Sequence, residues 1–305
     1  MTLNVSPLTL GTSGLGRDSL PGSAEESAAV GVAVDLLSSE HTFVDTSNNY
    51  AGGRCESVIG RALRQVGEES RYRVISKVDR DPETGAFDRD RVLRSFDETK
   101  AKLGVERLPL LHFHDPYTVS FEEAVGRRGA LEALIELRES GQVDAIGIAA
   151  GPVPMIERYL QTQVFDAVLC HNRYNLVDQS AELMFAAAKE QGLTVFNAAP
   201  FGSGLLAKGP GSQYHYAPAS EELQAWVAQA IAICELYEVT LPAVALHFSL
   251  RNPNIDSTIV GVASPGRLQQ LNGLLAESVP DEVWGAITAL GSAPKAIDDS
   301  AYRWT

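Results

Sequence analysis

Eight short β-rich runs punctuate the 305-residue chain, and amphipathic stretches fill most of the gaps between them. The runs lie at 7–11, 42–46, 73–77, 108–114, 144–149, 166–171, 193–198 and 257–261. Between them, residues 24–39, 88–103, 121–139, 179–191 and 220–237 place apolar side chains three and four apart, the period of a helix with one buried face. Ser23 stands three residues before Glu26, and Ser180 stands just before Glu182 and Leu183; both are helix-start signals. Gly104, Gly141 and Gly192 fall where helices should stop, shortly before the next strand. Strand and helix alternating at this spacing imply a parallel sheet. Eight repeats in this length fit a closed α/β barrel, a single (β/α)8 TIM barrel, better than an open doubly wound sheet. An open sheet that binds a dinucleotide wants GxGxxG after its first strand; residues 11–16 read GTSGLG, and no helix begins directly after them.

No linker or break in composition divides the chain, so residues 1–305 are read as one domain. The longest irregular stretch, 199–219, is rich in glycine and proline and sets Tyr214 and Tyr216 around His215; a loop of that length in a compact domain is expected to be functional or mobile. The segment 292–305 carries Tyr302 and Trp304 and is expected either to fold over a site or to cap the barrel.

The formal net charge is −14 with no run of Lys and Arg, which argues against nucleic-acid and anionic-membrane partners. Cys55, Cys170 and Cys234 are far apart and odd in number, with no CxxC spacing, so neither a disulfide framework nor a zinc site is expected. Cys170 ends an apolar run and reads as a buried strand thiol. The first residues lack the basic-then-apolar order of a secretory leader, and no stretch approaches ~20 apolar residues. A cytoplasmic protein, a monomer or weak homo-oligomer, is the expectation.

Chemistry concentrates at the ends of three successive strands. Asp45 and Tyr50 follow the second run in HTFVDTSNNYAGG, Lys77 ends the third in YRVISKVD, and His114 ends the fourth in LPLLHFHDP. In a parallel barrel these ends share one face, where loops carry the reaction. A free tyrosine titrates near ~10 and exchanges protons poorly at neutrality. A neighbouring ammonium favours the phenolate, a carboxylate fixes the ammonium, and an imidazole orients the reacting oxygen. Taken singly, each residue has a plainer reading: Asp as a cap, Tyr as packing, Lys as a solvated tip, His as a satisfied core residue. His112, two positions deeper than His114, keeps that core reading. Four such residues on consecutive strands favour the chemical one.

The same segments resemble the aldo-keto reductase family. LTLGTSGLG, FVDTSNNYAGGRCESVIGRAL, RVISKV, LLHFHDP, DAIGIA, HNRYNLVDQ, APFGSGLLAKG and TIVGVASPGRL carry the likeness from residue 8 to about 275. HDP and RYNLVDQ make the chain most similar to the bacterial D-threo-aldose (L-fucose) 1-dehydrogenase and pyridoxal dehydrogenase type of member. The resemblance implies a (β/α)8 barrel with cofactor and substrate at its C-terminal face, and a nicotinamide cofactor held without a Rossmann motif. It implies Tyr50 as general acid/base, Lys77 lowering its pKa, Asp45 pairing with Lys77, and His114 orienting the carbonyl.

The remaining cofactor positions follow from the same resemblance. Thr12, Ser13 and Asp45 should lie near the nicotinamide ribose. The Ser-Asn pair that many relatives carry after the fifth strand is replaced by Ala149-Ala150-Gly151, and the glutamine expected after the sixth by His171-Asn172, one of which should take the carboxamide. Phe201, Gly202, Ser203, Gly204 and Leu205 match the pyrophosphate loop. Ser264 and Arg267 match the segment for the adenosine 2′-phosphate, and Gln270 or Asn272 should reach the adenine. A lysine common earlier in that segment is absent, with Gly261 near its place, so NADP and NAD both stay open.

The substrate expected is a small carbonyl compound or sugar, touched by Tyr50, His114, Asn49 and Tyr117, with Phe201 and Trp304 further along the pocket. Polar residues at the mouth (Asn48, Asn49, Asn172, Arg173) favour a hydroxylated one. Two other classes compete with it: a nicotinamide-binding regulatory subunit with little turnover, and a metal-dependent barrel hydrolase or isomerase. The intact set of four disfavours the first, and the lack of ligand spacing disfavours the second.

Overall fold

Residue alternation along each strand decides what this fold turns inward. The computed structural model describes residues 3–215, 217–295, 297 and 299. Among them, eight parallel strands close into a barrel: β1 (Leu8–Gly11), β2 (Val44–Asp45), β3 (Val74–Val78), β4 (Leu111–His114), β5 (Ile146–Ala150), β6 (Ala167–His171), β7 (Thr194–Ala198) and, after an intervening hairpin, β10 (Ser257–Gly261). The hairpin is antiparallel, β8 (Gln213–Tyr214) against β9 (Ala217–Pro218). It supplies local order inside the stretch that the sequence shows only as irregular.

Helices cover the outside. They are α1 (Ala24–Leu37), α2 (Arg54–Leu63), α3 (Arg89–Leu103), α4 (Phe121–Val125), α5 (Ala130–Glu139), α6 (Val153–Leu160), α7 (Glu182–Glu190), α8 (Leu205–Lys208), α9 (Glu221–Leu236), α10 (Leu241–Leu250), α11 (Arg267–Ala276) and α12 (Asp281–Ala289). Ser23 caps α1 by accepting from the Glu26 N–H, and Gly104, Gly141 and Gly192 all take positive φ at helix ends. Two expectations change. The helix expected over 121–139 is broken in two, because Gly126 and Gly129 flank Arg128, which sits at φ 60°. Ser180 does not cap α7; its hydroxyl and N–H bond the Asp178 carboxylate instead, and Ala181 precedes the helix.

The apolar side chains fall into two layers. Leu8, Leu10, Val44, Val74, Val78, Leu111, Phe113, Ile146, Ile148, Val168, Cys170, Val195 and Val260 pack outward against the helices. Phe43, Ile75, Leu110, Ala145, Ala149, Ala167, Leu169, Phe196 and Ile259 fill the barrel interior. The pleat sends successive residues to opposite faces, so the inward set continues upward from this packed plug into Gly11, Asp45, Lys77, His114, His171 and Gly261. His112 is fully buried in the barrel, edge-on to Phe196 at 6.0 Å between ring centroids, which is the core position its alternation predicts. Gly147 leaves it room: a Cβ there would come within 2.3 Å of His112 Nδ1. Among the described residues no single helix is long and apolar enough to cross a membrane.

Candidate active site

Parallel register brings the inward polar residues to one level. Asp45 lies beside Gly11 and Ile75, Lys77 beside His112, His114 beside Ala149, and His171 beside Ala198. Above the apolar plug this level forms the floor of a cavity of about 470 Å³ at the C-terminal ends of the strands. Asp45, Tyr50, Lys77 and His114 all line it.

Lys77 is 1% exposed, and its Nζ donates to Asp45 Oδ1 at 2.6 Å, Asp45 Oδ2 at 2.8 Å and the Thr46 carbonyl at 2.7 Å. The ammonium therefore has its whole donor capacity occupied in one direction. Burial pushes the Asp45 carboxyl above its ordinary value, and the Lys77 charge opposes that rise. The same ammonium lies 4.7 Å from the centre of the Tyr50 ring. Tyr50 meets His114 edge to face, with ring centroids 5.6 Å apart. The turn that presents Tyr50 runs through Ala51, Gly52 and Gly53 at φ of 50°, 63° and 83°, which is why two glycines follow the tyrosine.

His114 is held by two residues that sequence reasoning did not name. Asp79 Oδ1 lies 2.7 Å from His114 Nδ1, and the Ser47 hydroxyl, 3.1 Å from the same nitrogen, donates to Asp79 Oδ2 at 2.5 Å. With Nδ1 occupied, Nε2 is the atom turned toward the cavity. Burial works to lower the His114 pKa, but the Asp115 and Asp79 carboxylates outweigh it and raise it above the usual imidazole range. Burial likewise works to raise Asp79, and the His114 charge with the Ser47 and Asn49 bonds outweighs it, holding that carboxyl below its ordinary value. Asp79 is two residues beyond Lys77, so the period of a strand already points it inward. Asp115, next to His114, lines the cavity and bonds His171 Nε2 at 3.1 Å through Oδ1.

Side chains from α3 grip this end from behind. Arg91 is 4% exposed and donates to the Asp79 carbonyl at 2.9 Å, to Asn48 Oδ1 at 3.1 Å and to Glu98 at 2.8 Å. Ser95 accepts twice: its Oγ from the Asp79 N–H at 3.0 Å and its carbonyl from Asn48 Nδ2 at 3.2 Å. Lys102 Nζ donates to the Asn48 carbonyl at 2.9 Å.

The opposite end of the cavity is built from loops. Thr12, Ser13, His171, Asn172, Phe201, Ser203, Gly204 and Arg267 line it, together with Lys208, which sequence reasoning did not single out. Asn172 Nδ2 lies 3.3 Å from His171 Nδ1, and Ser203 donates to Asn172 Oδ1 at 3.3 Å. Arg267 lies over the Phe201 ring at 5.8 Å. Asp115, Asn172, Ala199 and Ser203, all around the cavity, hold positive φ of 45°, 60°, 63° and 55°. Left-handed non-glycine backbone costs of order 1 kcal/mol or more, and it gathers where a site over-determines it. Gly202 has φ +52°, and a Cβ there would meet the Tyr214 ring at 2.8 Å.

Several expected residues take other places. Asn49 does not line the cavity. Its N–H donates to Asp79 Oδ2 at 2.8 Å, and the residue borders a separate polar cleft with Asn48, Gly52, Gly53 and Arg91. Tyr117 lies behind Asp115 rather than in the cavity: the tight turn at Asp115 carries the chain away, and the Tyr117 hydroxyl accepts the Gly151 N–H at 3.1 Å. Leu205 is fully buried in the core, so only its backbone faces the loop. Ser264 and Gln270 are exposed on the rim beside Arg267, which bonds Gln270 Oε1 at 3.2 Å. Asn272 bonds His41 at 3.4 Å, away from the cavity. Tyr302 and Trp304 lie outside the described residues.

The model of the Aldo/keto reductase family matches residues 7–292. Pyridoxal 4-dehydrogenase from Microbacterium luteolum is 30% identical, the match covering 95% of each chain. L-galactose dehydrogenase from Arabidopsis thaliana is 29% identical over 88% of this chain and 83% of its own length. D-threo-aldose 1-dehydrogenase from a Pseudomonas species is 30% identical over 66% of this chain and 62% of its own. Among solved structures, a holo-form aldo-keto reductase from Bacillus halodurans superposes with TM-score 0.78 at 20% identity, covering 98% of this chain and 95% of that one. At that identity the superposition speaks for the barrel alone.

Proposed function

Because the chain belongs to the aldo/keto reductase family of oxidoreductases, we propose that it exchanges a hydride between a nicotinamide cofactor and the carbonyl or lactol carbon of a small hydroxylated substrate such as an aldose. The observation that carries this reading is the buried Asp45–Lys77 pair set 4.7 Å beneath the Tyr50 ring, with His114 at its edge.

Each residue has a distinct task in it. Tyr50 Oη gives its proton to the carbonyl oxygen in reduction and takes the hydroxyl proton in oxidation. Lys77 stabilises the phenolate left in the first case, and Asp45 fixes the ammonium so that it needs no rearrangement as charge develops. With its Nδ1–H given to Asp79, His114 donates from Nε2 to the reacting oxygen in its protonated form, which the neighbouring carboxylates favour. The packed apolar plug closes the cavity from below, toward the N-terminal ends of the strands.

The cavity suits the cofactor. His171 and Asn172 present an imidazole and an amide to a carboxamide, and Thr12 and Ser13 present hydroxyls near the reacting end. The left-handed turn at Gly202–Gly204 opens backbone toward phosphate oxygens, with Lys208 and Arg267 as the cations at that end. A nicotinamide cofactor bound there supplies or accepts the hydride at its C4. Arg267, with Ser264 and Gln270 on the rim, favours a 2′-phosphate and hence NADP; its lone charge leaves NAD as the alternative. Two of the relatives are named for sugars, which supports the aldose class. Pyridoxal is the second reading, supported by the relative matched along 95% of each chain.

Initial rates with NAD and NADP across aldoses, pyridoxal and simple aldehydes test the reading, with Tyr50→Phe alongside. We expect turnover of one group and a loss of about 10³-fold in the variant, within the range for a positioned acid/base. Cofactor binding without turnover of any member, in both proteins, would overturn it.

A further inference from the structure

Asp115 is the least explained charge in the cavity. It is not needed to lock His114, whose Nδ1 is already taken by Asp79 and Ser47. It stands at φ 45°, a conformation that an extended strand end would avoid and that swings its carboxylate into the cavity. Its side chain is a quarter exposed there. Oδ1 bonds His171 Nε2 at 3.1 Å, and the Tyr117 hydroxyl donates to the same carboxylate. Oδ2 stops 3.7 Å from His114 Nε2, too far for a hydrogen bond.

Two atoms of opposite character thus face the same small space: an imidazole N–H that donates and a carboxylate oxygen that accepts. The His114 and His171 charges hold the Asp115 carboxyl well below the usual range despite its burial, so it is ionised and can only accept. A carbonyl oxygen cannot satisfy it. Two oxygens on neighbouring carbons can bridge the pair, the first accepting from His114 and the second donating its hydroxyl proton to Asp115.

We propose that Asp115 is the acceptor for a hydroxyl on the carbon adjacent to the reacting one, so that the site selects α-hydroxy lactols and aldehydes over substrates that lack this group. The assignment rests on the hydride-transfer reading for which oxygen His114 holds. Gly151 belongs to the same device: a Cβ there would come within 3.0 Å of His171 and 3.5 Å of the Tyr117 hydroxyl, the two groups that aim the carboxylate.

The test pairs galactose with 2-deoxygalactose, each in both enantiomers, against wild type and Asp115→Asn. Calorimetry with reduced cofactor present, which leaves the lactol no hydride acceptor, reads binding without turnover. One enantiomer of galactose should bind at least tenfold more tightly than its 2-deoxy form, and Asp115→Asn should erase the difference; a missing partner for a buried polar group costs that much or more. Tyr50→Phe should keep the difference. Equal binding of the two sugars by wild type overturns the assignment, and so does a variant that loses affinity for both equally, which would mark Asp115 as a support for His171. Selective binding with no turnover overturns the hydride-transfer reading and leaves the hydroxyl contact standing.

Discussion

The two ends of the cavity are made by different means. Around β2, β3 and β4 the work is done by side chains that neutralise one another: Asp45 with Lys77, Asp79 and Asp115 with His114, and Arg91 behind them. Around β6, β7 and β10 it is done by backbone: left-handed residues at 172, 199 and 203, glycines at 202 and 204, and few bonds between side chains. The first end is rigid because each charge is buried against a partner and cannot leave it without a large penalty. The second is shaped by conformation and leaves its cations, Lys208 and Arg267, open to a ligand. In the proposed reaction the groups that move a proton are fixed in advance, and the end proposed for the cofactor keeps its charge available.

Breaking the first end should therefore hurt the protein itself. Lys77→Met leaves the Asp45 carboxylate buried without a cation, and unfolding in denaturant should show a loss of about 3 kcal/mol. Adding Asp45→Asn should return part of it. If Lys77→Met were as stable as wild type, the contrast between the two ends would collapse.

The Asp79–His114 pair sharpens the contrast through pH. The folded pKa of His114 is raised, so the stability it contributes is fully present below its unfolded value of about 6.5 and is lost as pH rises through the folded value. The unfolding midpoint of wild type should fall across that window, and Asp79→Asn should flatten the fall and shift the His114 titration, followed by NMR, downward. Asp79 and Asp115 act with the opposite sign. Their folded values are depressed, so their contribution is present above about 3.9 and disappears as pH drops. A midpoint indifferent to Asp79 just below pH 6.5, where the contribution is fully present, would mean that the pair is no stabilising contact.

The smallest structural effect belongs at the second end. Arg267→Ala should change unfolding stability by less than about 0.5 kcal/mol, as a rim substitution does. It should weaken NADPH binding about tenfold by fluorescence titration and NADH binding less, since a charge-assisted contact to a phosphate is worth about that much. Equal losses for both would place Arg267 on the pyrophosphate.

The difference between the two ends also explains what the sequence discloses. All eight barrel strands are legible, because each is a short β-rich run between turn signals. Asp45, Lys77 and His114 are legible because they end such runs at inward positions. Asp79 had an available signal, two residues past Lys77 on the same face, and was missed because VD reads as a strand exit. Asp115 had none. Strict alternation from His114 would turn it outward, and only the left-handed turn at φ 45° brings it in. Asn49 and Tyr117 fail for the same reason from the other side: proximity in sequence to Tyr50 and His114 does not survive the turns that follow. The break of 121–139 at two glycines and the 213–218 hairpin are likewise matters of local backbone, which periodicity in side chains does not record.

Barrel closure pairs the first strand with the last, Leu8 beside Thr258 and Gly11 beside Gly261. Gly11 and Gly261 are also adjoining panels of the cavity wall. The strands that carry Asp45, Lys77 and His114 therefore leave the ribosome well before β10, and the wall that Gly11 shares with Gly261 can be completed only last. A binder of that wall would act as a clasp on the longest loop the polypeptide has to close.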